Sequence, residues 1–404
     1  MKRILIFTGS CLILTLAGIS GNTNDEKLAR KAAEIHRSVF TVDSHTDTPM
    51  HLVTGDFDVS QRHDAKSSKV DFPRMKEGGL DGIFFAVFIS QGKRNQEAYT
   101  AAKKEAHEII DSIYAVLKRN QAVAGLALKP DDGYRLKKEG KIAVFIGMEN
   151  GYPIGLDLAL AETYFNRGVR YITLCHTRNN DLCDSSTDTL GFGGLSPFGK
   201  RLVEEMNRLG MMIDVSHMSD KSFYDVIRLS RSPVIASHSC SRAICDNPRN
   251  LSDDMLLALA ANGGVIQMCI LSAYVKADPN PARDSARASL RKKYHDFEGL
   301  SKDDQKAARK DWHALDDLYP AKLATVSDVV DHIDHIVKVA GIDHVGIGTD
   351  FDGGGGVQGC NDVSEMGNMT LELVKRGYSK SQIRKIWGGN LMRVMKQNLD
   401  HAGK

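Results

Sequence analysis

Histidine, aspartate and glutamate residues recur in this sequence at the ends of short apolar runs. Six of eight such runs end this way, and the residues concerned are His45, Asp47, Glu149, His176, His217, His238 and Asp350. If each run is a strand, residues two apart share a face, so His45 and Asp47 point the same way. Random placement would scatter these side chains along strands and helices alike. Their shared position therefore predicts a common site.

Imidazole nitrogens and carboxylate oxygens together are a ligand set that suits a divalent metal ion, zinc in particular. A carboxylate can also bridge two ions. Two ions about 3.5–4 Å apart can share a water molecule and lower its pKa, which makes a hydroxide nucleophile. A single histidine would more often be structural, but the joint pattern favours a metal site.

Other motifs do not point to a competing chemistry. The glycines at residues 353–356 lack a following Lys-Ser/Thr pair, so they are not a phosphate-binding loop. There is no GxSxG motif for a serine nucleophile. His332 and His335 alternate with Asp331 and Asp334 on what reads as a polar helix face, and we expect both histidines to be solvated.

The apolar runs have the length and composition of buried strands. They cover residues 41–44, 82–89, 141–148, 171–175, 211–215, 233–237, 264–270 and 344–348. Stretches with helical spacing separate them, such as the apolar steps of three and four between Val326 and Ala340. Alternating strands and helices predict parallel strands. Eight such units predict an α/β fold, a (β/α)8 TIM-type barrel, as a single catalytic domain whose chemistry lies at the carboxyl ends of the strands.

The longest gap between apolar runs contains a charged segment around residues 280–315. It is rich in Arg, Lys and Asp and poor in large apolar side chains. We expect a solvated helical insertion there, with a partner-binding arm as the alternative.

The amino terminus has the layout of a secretory signal peptide over residues 1–20, with Lys2 and Arg3 before an apolar stretch. We expect cleavage, export to the periplasm and a barrel domain over residues 21–404. A retained membrane anchor and a lipidated Cys11 are the alternatives. Lys and Arg number 53 against 51 for Asp and Glu. This balance predicts no nucleic-acid partner and no attraction to an anionic membrane.

Six cysteines remain after residue 20, and the sequence does not choose their state. One interpretation is that local disulfide bonds join Cys175 to Cys183 or Cys240 to Cys245, because the thiols of an exported protein can be oxidised. Buried free thiols are the other. There is no CxxC pair, so a structural zinc knuckle is not indicated.

The ordered set of motifs resembles the membrane dipeptidase (renal dipeptidase) family of zinc metallopeptidases, in particular an exported bacterial member. The matching segments are VDSHTDTP at 42–49, GMENG at 147–151, YITLCH at 171–176, DVSH at 214–217, ASHS at 236–239, PRN at 248–250 and GTDFDG at 348–353. The resemblance covers roughly residues 38–397. Each segment is weak alone, but their combination is specific.

The resemblance implies two zinc ions. His45, Asp47 and Glu149 would hold one, and Glu149, His217 and His238 would hold the other. Glu149 would bridge the ions, and a water or hydroxide between them would attack the scissile carbonyl of a dipeptide.

The resemblance also assigns three residues to the substrate. His176 would stabilise the oxyanion. Arg249 would pair with the terminal carboxylate. Asp350 would lie near the amino group and pass a proton to the leaving amine. Members of the family accept a C-terminal D-residue, some open β-lactams, and homodimers are the family's usual assembly.

Two departures from the family's pattern bear on the loops around the site. Asn150 occupies a position that is usually glycine. The seventh run ends in Gln-Met-Cys-Ile at 267–270, where many relatives have Asn-Phe-Tyr, and Tyr274 follows shortly after. The second departure leaves open a barrel hydrolase acting on another amide, such as a β-lactam or an N-acyl amino acid. A non-catalytic binding protein that retains the barrel is the remaining alternative.

Overall fold

The computed structural model describes residues 23–55, 57–294 and 300–403, so the predicted signal peptide lies outside the described residues. These residues form nine strands: β1 Val42–Thr46, β2 Gly82–Phe88, β3 Ala124–Leu126, β4 Ile142–Glu149, β5 Val169–Thr173, β6 Met212–Asp214, β7 Ile235–Ser239, β8 Val265–Met268 and β9 Val345–Ile347. All the strand pairs are parallel.

Eight of the strands form a nearly closed barrel in the order β1-β2-β4-β5-β6-β7-β8-β9. Between β9 and β1 the ring is joined just past the strand ends. There the Asp47 N–H donates to the Phe351 carbonyl at 2.9 Å, and the Asp350 N–H donates to the His45 carbonyl at 3.1 Å. The predicted (β/α)8 barrel in one domain is confirmed.

The ninth strand, β3, was not predicted from the sequence. It has three residues and pairs only with the start of β4, where Ala124 lies opposite Ile142 and Leu126 opposite Val144. Pairing of β4 with β5 begins further on, at Ile146. A three-residue segment is too short to show a periodic apolar pattern, so its strand state depends on this tertiary contact.

The same residues form sixteen α-helices: α1 Thr23–Ser38, α2 Pro49–Leu52, α3 Phe72–Gly78, α4 Gln96–Arg119, α5 Pro130–Lys138, α6 Ala159–Asn166, α7 Pro197–Leu209, α8 Asp220–Leu229, α9 Asp253–Ala261, α10 Ser272–Val275, α11 Pro281–Lys293, α12 Lys302–Leu318, α13 Val326–Ala340, α14 Gly367–Lys375, α15 Lys380–Arg384 and α16 Asn390–His401. Serine caps begin three outer helices. Ser196, Ser219 and Ser252 accept backbone N–H groups at the starts of α7, α8 and α9. No helix within the described ranges is both long and apolar enough to cross a membrane.

The amino-terminal half of the barrel is filled by large apolar side chains. Phe84 and Phe145 stack inside it with ring centroids 4.7 Å apart, and Tyr171 lies against Phe84 at 5.5 Å. Leu391 and Met395 of α16 pack into the same cluster and close that end. The barrel is therefore a packed base rather than a pore, and polar groups gather at the opposite end.

The charged segment between β8 and β9 contains the helices α11 and α12. Their charges pair with each other, since Arg287 contacts Asp316 at 2.8 Å and Lys293 contacts Asp311 at 2.5 Å. The Arg287 guanidinium also lies 5.1 Å from the Trp312 ring centroid. These contacts hold the two helices together as a hairpin.

The expectation that His332 is solvated is wrong. Its side chain is fully buried on α13, where Nδ1 accepts the Ser241 N–H at 3.1 Å and Nε2 donates to the Val275 carbonyl at 2.8 Å. The face of α13 that looks polar in sequence is covered by the segments that follow β7 and β8. His335 is partly exposed and contacts Asp253 at 2.7 Å.

All six cysteines in the described part of the chain are buried free thiols, which is the second of the two readings of the sequence. The predicted local pairs are not bridged.

Candidate metal centre

The five side chains expected to bind metal meet at the carboxyl end of the barrel. His45 lies on β1, Glu149 is the last residue of β4 and His238 lies on β7. Asp47 follows β1 directly, and His217 lies three residues past the end of β6. None of the five is more than 4% exposed. Parallel strands in a barrel bring residues separated by up to 193 positions into one cluster, which is the arrangement that the strand-end pattern predicts.

Glu149 lies at the middle of the cluster and turns its two oxygens in different directions. Oε2 lies 3.5 Å from His45 Nε2. Oε1 lies 3.1 Å from His217 Nε2 and 3.4 Å from His238 Nε2. One carboxylate thus serves two groups of imidazoles, as a bridging ligand must.

Three groups of ligand atoms, each within 4.8 Å, lie around this carboxylate. The first comprises His45, Glu149 and His238, the second Glu149, His176 and His217, and the third His45, Asp47 and Asp350. Glu149 and His45 each belong to two groups. The spatial grouping therefore differs in detail from the two ligand sets that the resemblance implies, while the same five side chains take part.

The unpaired polar atoms of this cluster fit a cation. His217 Nε2 and His238 Nε2 lie 2.9 Å apart, within hydrogen-bond distance of each other. Among the described residues, His45 Nε2 and Asp47 Oδ1 are buried without any hydrogen-bond partner. Leaving such atoms unpaired in a protein interior is costly. A divalent metal ion bound here would satisfy the two unpaired atoms, His45 Nε2 and Asp47 Oδ1.

Hydrogen bonds behind the cluster make Nδ1 the donor in two of the three histidine ligands, His45 and His238, and turn Nε2 towards the cluster. The Tyr171 hydroxyl donates to the Ser44 carbonyl at 3.1 Å, so it must accept from His45 Nδ1 at 2.8 Å. Ser237 Oγ donates to Asp214 at 2.5 Å and therefore accepts from His238 Nδ1 at 2.9 Å. In both cases Nε2 is left free for a metal ion.

Tyr171 reaches His45 because its neighbour on β4 has no side chain. A β-carbon at Gly147 would overlap the Tyr171 ring. Sequence reasoning did not assign a role to Tyr171, because its position inside an apolar run is typical of a core residue.

Two further buried carboxylates, also not assigned from the sequence, tie the strand ends together. Asp43 accepts the Thr349 N–H at 2.8 Å and the Thr349 hydroxyl at 2.5 Å. Asp214 accepts the Ser237 N–H at 2.8 Å and the Ser216 N–H at 3.0 Å. Each lies two or three residues before a candidate ligand, and that spacing was the available signal.

Burial and repulsion between acids make the cluster electrostatically costly without a cation. Burial, and then the charge of Glu149, raise the pKa of Asp47 to about 6. Burial, with smaller effects from Cys269 and Asp47, raises the pKa of Asp350 well above its usual value. Burial also acts to raise the pKa of Glu149, but the surrounding histidines outweigh it and hold that pKa well below the usual value. Bound cations would stabilise all three carboxylates.

His176 and Asp350 complete the mouth of the site. His176 Nε2 lies 3.9 Å from Glu149 Oε1, and the imidazole is 24% exposed, so it can reach a ligand entering from solvent. Asp350 follows β9 and is 7% exposed. Cys269 at the end of β8 lies beside it, with Sγ 4.0 Å from Asp350 Oδ2.

Arg249 lies on the segment that follows β7 and is buried beside the cluster at 3% exposure. Its Nη2 donates to the His238 carbonyl at 3.1 Å. Its Nε has no hydrogen-bond partner within the described part of the chain. The guanidinium carbon lies 5.4 Å from the centroid of the Tyr274 ring. A buried guanidinium with an unused donor is suited to an anionic ligand.

The backbone just past three strand ends adopts the left-handed conformation at four residues. Asn150, His217, Asp350 and Asp352 have φ of 70°, 68°, 61° and 65°, and they are the only residues other than glycine with positive φ among those described. Asn, Asp and His are the types that tolerate this region best after glycine. Asn150 therefore adopts a backbone conformation that glycine also accepts readily, and its Nδ2 donates to the Ile89 carbonyl at 2.9 Å.

Comparison with known proteins agrees with this arrangement. A family model described as membrane dipeptidase (peptidase family M19) matches residues 29–403. Dipeptidase tcpJ of Claviceps purpurea (strain 20.1) is 30% identical over 371 residues, which cover 89% of this chain and 77% of that protein. Dipeptidase 3 of Rattus norvegicus is 30% identical over 384 residues, which cover 93% of this chain and 68% of that protein.

Solved structures show the same relationship. The crystal structure of the probable dipeptidase PvdM from Pseudomonas aeruginosa superposes with a TM-score of 0.83 at 33% identity, covering 93% of this chain and all of that one. The family resemblance read from the motifs is thereby confirmed. The chain belongs to the membrane dipeptidase family, peptidase family M19, a family of metallopeptidases.

Proposed function

We propose that the protein is a dinuclear zinc dipeptidase that hydrolyses the peptide bond of dipeptides, including those with a C-terminal D-residue. The observation that carries the proposal is the position of Glu149, with one oxygen facing His45 and the other facing His217 and His238. The family membership and the free imidazole nitrogens support it.

We assign one ion to His45, Asp47 and Glu149 and the second to Glu149, His217 and His238. When bound, the two zinc ions would polarise the scissile carbonyl and supply the hydroxide nucleophile near neutral pH. Tyr171 and Ser237 keep His45 and His238 in the tautomer that this binding requires.

Three further side chains would act on the dipeptide. Arg249 binds the terminal carboxylate through its unused donors. His176 donates a hydrogen bond to the carbonyl oxygen as negative charge develops there. Asp350 holds a proton on its carboxylate and passes it to the nitrogen of the leaving amine, a role that suits a buried acid with a raised pKa. The family resemblance also places Asp350 near the substrate amino group, so the site would hold both ends of a dipeptide and exclude longer peptides.

The test is an assay of amino-acid release from a panel of L-L and L-D dipeptides, with and without a chelator. We expect cleavage that the chelator abolishes and added zinc restores. Tripeptides and N-acetylated dipeptides should be poor substrates, because they lack a terminus at the required distance. Absence of chelator-sensitive cleavage across the panel would overturn the proposal.

A second candidate is hydrolysis of another amide, such as a β-lactam or an N-acyl amino acid. The observation that favours it is Cys269, whose small thiol lies beside Asp350 with Sγ 4.0 Å from Oδ2. Competition between a dipeptide and each alternative amide, expressed as the ratio of kcat/KM values, decides between the two.

We also propose that the protein acts in the periplasm after removal of residues 1–20, as a homodimer and without a nucleic-acid partner. Residues Lys2 to Ile19 support export, because a basic start precedes an apolar stretch. Determination of the amino terminus of the exported protein tests the removal of residues 1–20, and its mass in solution tests the homodimer.

A further inference from the structure

A cavity of about 680 Å³ lies at the amino-terminal end of the barrel. Its wall comes from segments that lead into three strands, since Phe40 precedes β1, Lys138 ends α5 before β4, and Asp343 precedes β9. The candidate metal ligands lie at the opposite ends of the strands. The cavity is therefore separate from the metal cluster, and its volume is that of a site for a small molecule.

Positive charge exceeds negative charge in the wall of this cavity. The wall contains one acid, Asp343, and five cationic side chains, Lys137, Lys138, Arg384, Lys385 and Arg393. Lys385 pairs with Asp343 at 2.5 Å. Lys137 pairs with Asp81, which lies outside the wall, at 2.5 Å. Within the described part of the chain, the other three cations form no salt bridge, so their charges are available to an anion.

Arg393 on α16 is held in place with one donor unused. Its Nη1 donates to the Gly263 carbonyl at 2.8 Å, and its Nη2 donates to the Asp343 carbonyl at 2.8 Å. Its Nε is buried and has no hydrogen-bond partner among the described residues. A buried donor without a partner is costly, and a phosphate oxygen is an acceptor that a guanidinium binds well.

Two aromatic rings form an apolar part of the wall. The rings of Phe40 and Tyr134 lie with their centroids 5.1 Å apart, and Tyr134 is 40% exposed. Burial raises the pKa of Tyr134, and the charge of Arg384 opposes the rise. The guanidinium of Arg384 therefore lies near the ring. A ligand with an anionic group and a flat apolar part can contact both.

The backbone beside the cavity is irregular. A single π-helical turn, Lys385–Gly389, connects α15 to α16, and its first and last residues belong to the cavity wall. Turns of this kind are rare and occur frequently at functional sites. Arg384 comes directly before this turn and Arg393 lies on the helix after it, so the irregular backbone separates two of the three available cations.

We propose that this cavity binds a soluble organic phosphate, with Lys138, Arg384 and Arg393 on the phosphate oxygens and Tyr134 against the flat part of the ligand. Guanidinium groups present paired donors to phosphate, and an ammonium group adds a compact charge. Three cations match a group that carries two or three negative charges. The site is independent of the proposed dipeptidase function, and either can be refuted without the other.

The test is isothermal titration calorimetry of the zinc-loaded protein with ADP, pyrophosphate and adenosine at low ionic strength, where charges are least screened. We expect ADP and pyrophosphate to bind, and adenosine to bind much more weakly because it has no charge. Arg384→Gln and Lys138→Gln should each weaken ADP binding about tenfold, as the loss of one hydrogen bond to a charged group implies. Both side chains are exposed, so these changes should leave the fold intact.

A third variant tests the contact with the ring. Tyr134→Ala should weaken ADP binding about tenfold and leave pyrophosphate binding unchanged, because stacking on an aromatic side chain contributes roughly 1–3 kcal/mol. The matched control is Lys104→Gln on α4, which removes the same charge from an exposed position outside the cavity and should bind ADP as wild type does.

Phosphates can also bind metal ions, so Glu149→Gln locates the bound ADP. Binding in the cavity should survive in this variant. If Glu149→Gln loses ADP binding while Arg384→Gln and Lys138→Gln keep it, the phosphate lies on the metal centre and the inference is wrong.

Three other results would also overturn the inference. The first is a wild type that binds neither ADP nor pyrophosphate at millimolar concentration. The second is equal weakening of ADP and pyrophosphate in Tyr134→Ala. The third is binding of phosphatidylglycerol vesicles without binding of ADP, because the phosphate would then belong to a lipid headgroup. None of these results bears on cleavage of dipeptides.

Discussion

At the scale of single residues, Glu149 connects the two halves of the metal cluster. Its oxygens face imidazoles from β1, from β7 and from the segment after β6, so three barrel strands converge on one carboxylate. Hydrogen bonds that His45 Nδ1 donates to Tyr171 and His238 Nδ1 donates to Ser237 then set which nitrogen of each ring faces the cluster. Two predictions belong to this scale.

Replacement of Glu149 by Gln should weaken both metal sites together, because an amide is a poor bridging ligand. We expect metal content to fall from two ions to fewer than one per chain. Activity should fall by more than the roughly 10–100-fold that loss of an outer hydrogen-bond partner costs. Elemental analysis of the dialysed protein measures the metal content per chain. Glu105→Gln on α4 is the control and should keep the metal content of wild type. Equal metal content in wild type and Glu149→Gln would contradict the bridging role.

Replacement of Tyr171 by Phe should weaken metal binding without removing a ligand. The variant loses the hydroxyl that accepts from His45 Nδ1, and we expect metal affinity to fall roughly 10–100-fold. Competition with a chromophoric chelator measures it. Tyr164→Phe is the control, since the Tyr164 hydroxyl is buried without a hydrogen-bond partner among the described residues. Unchanged affinity in Tyr171→Phe would show that the tautomer of His45 is set in another way.

At the scale of elements, the outer helices position the loops that surround the site. His332 of α13 bonds to Ser241 after β7 and to Val275 of α10, so one buried imidazole ties two of these loops together. Because Nδ1 accepts and Nε2 donates, both bonds need the neutral ring. Protonation of Nδ1 would place two N–H groups opposite each other.

This arrangement predicts that acid destabilises the protein through His332. Burial lowers its pKa below 6.5, while the Val275 carbonyl partly offsets the effect. The unfolded chain then binds the proton more readily, so the contribution is present above pH 6.5 and is lost as the pH falls below that value. The loss is at most about 1.4 kcal/mol for each pH unit.

Urea unfolding of wild type and His332→Gln at pH 7.5 and pH 5.5 measures this contribution. When the pH is lowered from 7.5 to 5.5, the free energy of unfolding should fall more in wild type than in His332→Gln. His335→Gln, on the same helix but partly exposed, should follow wild type. Identical pH dependence in wild type and His332→Gln would contradict the role of the buried ring.

At the scale of the whole molecule, the barrel has an apolar amino-terminal half and a polar carboxyl-terminal half. Phe84, Phe145 and α16 fill the first, while buried acids and imidazoles crowd the second. Burying Asp47, Glu149 and Asp350 close together in the polar half lowers the free energy of unfolding. A cation that binds only the folded protein raises it again by mass action.

Removal of metal should therefore lower the thermal midpoint while the fold is retained. At a metal concentration 1,000 times Kd the stabilisation is about 4 kcal/mol, which corresponds to several degrees. Differential scanning calorimetry of the chelator-treated and the zinc-loaded protein measures the shift in the thermal midpoint. In Glu149→Gln the thermal midpoint should differ little between the chelator-treated and the zinc-loaded protein. A difference as large as that of wild type would mean that the stabilising ion binds elsewhere.

Much of the fold was predictable because local patterns agree with it. The runs that became β2, β4 and β7 are apolar enough to be recognised one at a time, and the helical spacing of α13 is visible without a structure. The strand β3 was missed because three residues carry no pattern. His332 was misassigned because its neighbours Asp331 and Asp334 make its face look solvated, and only packing against other segments shows that it is buried.

The sequence by itself determined the residue types at the strand ends, and with them the expected metal chemistry and the family. The alternation of strand and helix was enough to place those ends at one side of a barrel. Only the tertiary structure decided which side chains hydrogen-bond to the candidate metal ligands at these strand ends. Tyr171 on β5 reaches His45 on β1, and Asp214 on β6 holds Ser237 on β7. A hydrogen bond between strands leaves no periodic trace in a single chain. Such contacts depend on side-chain packing in three dimensions, which local sequence does not record.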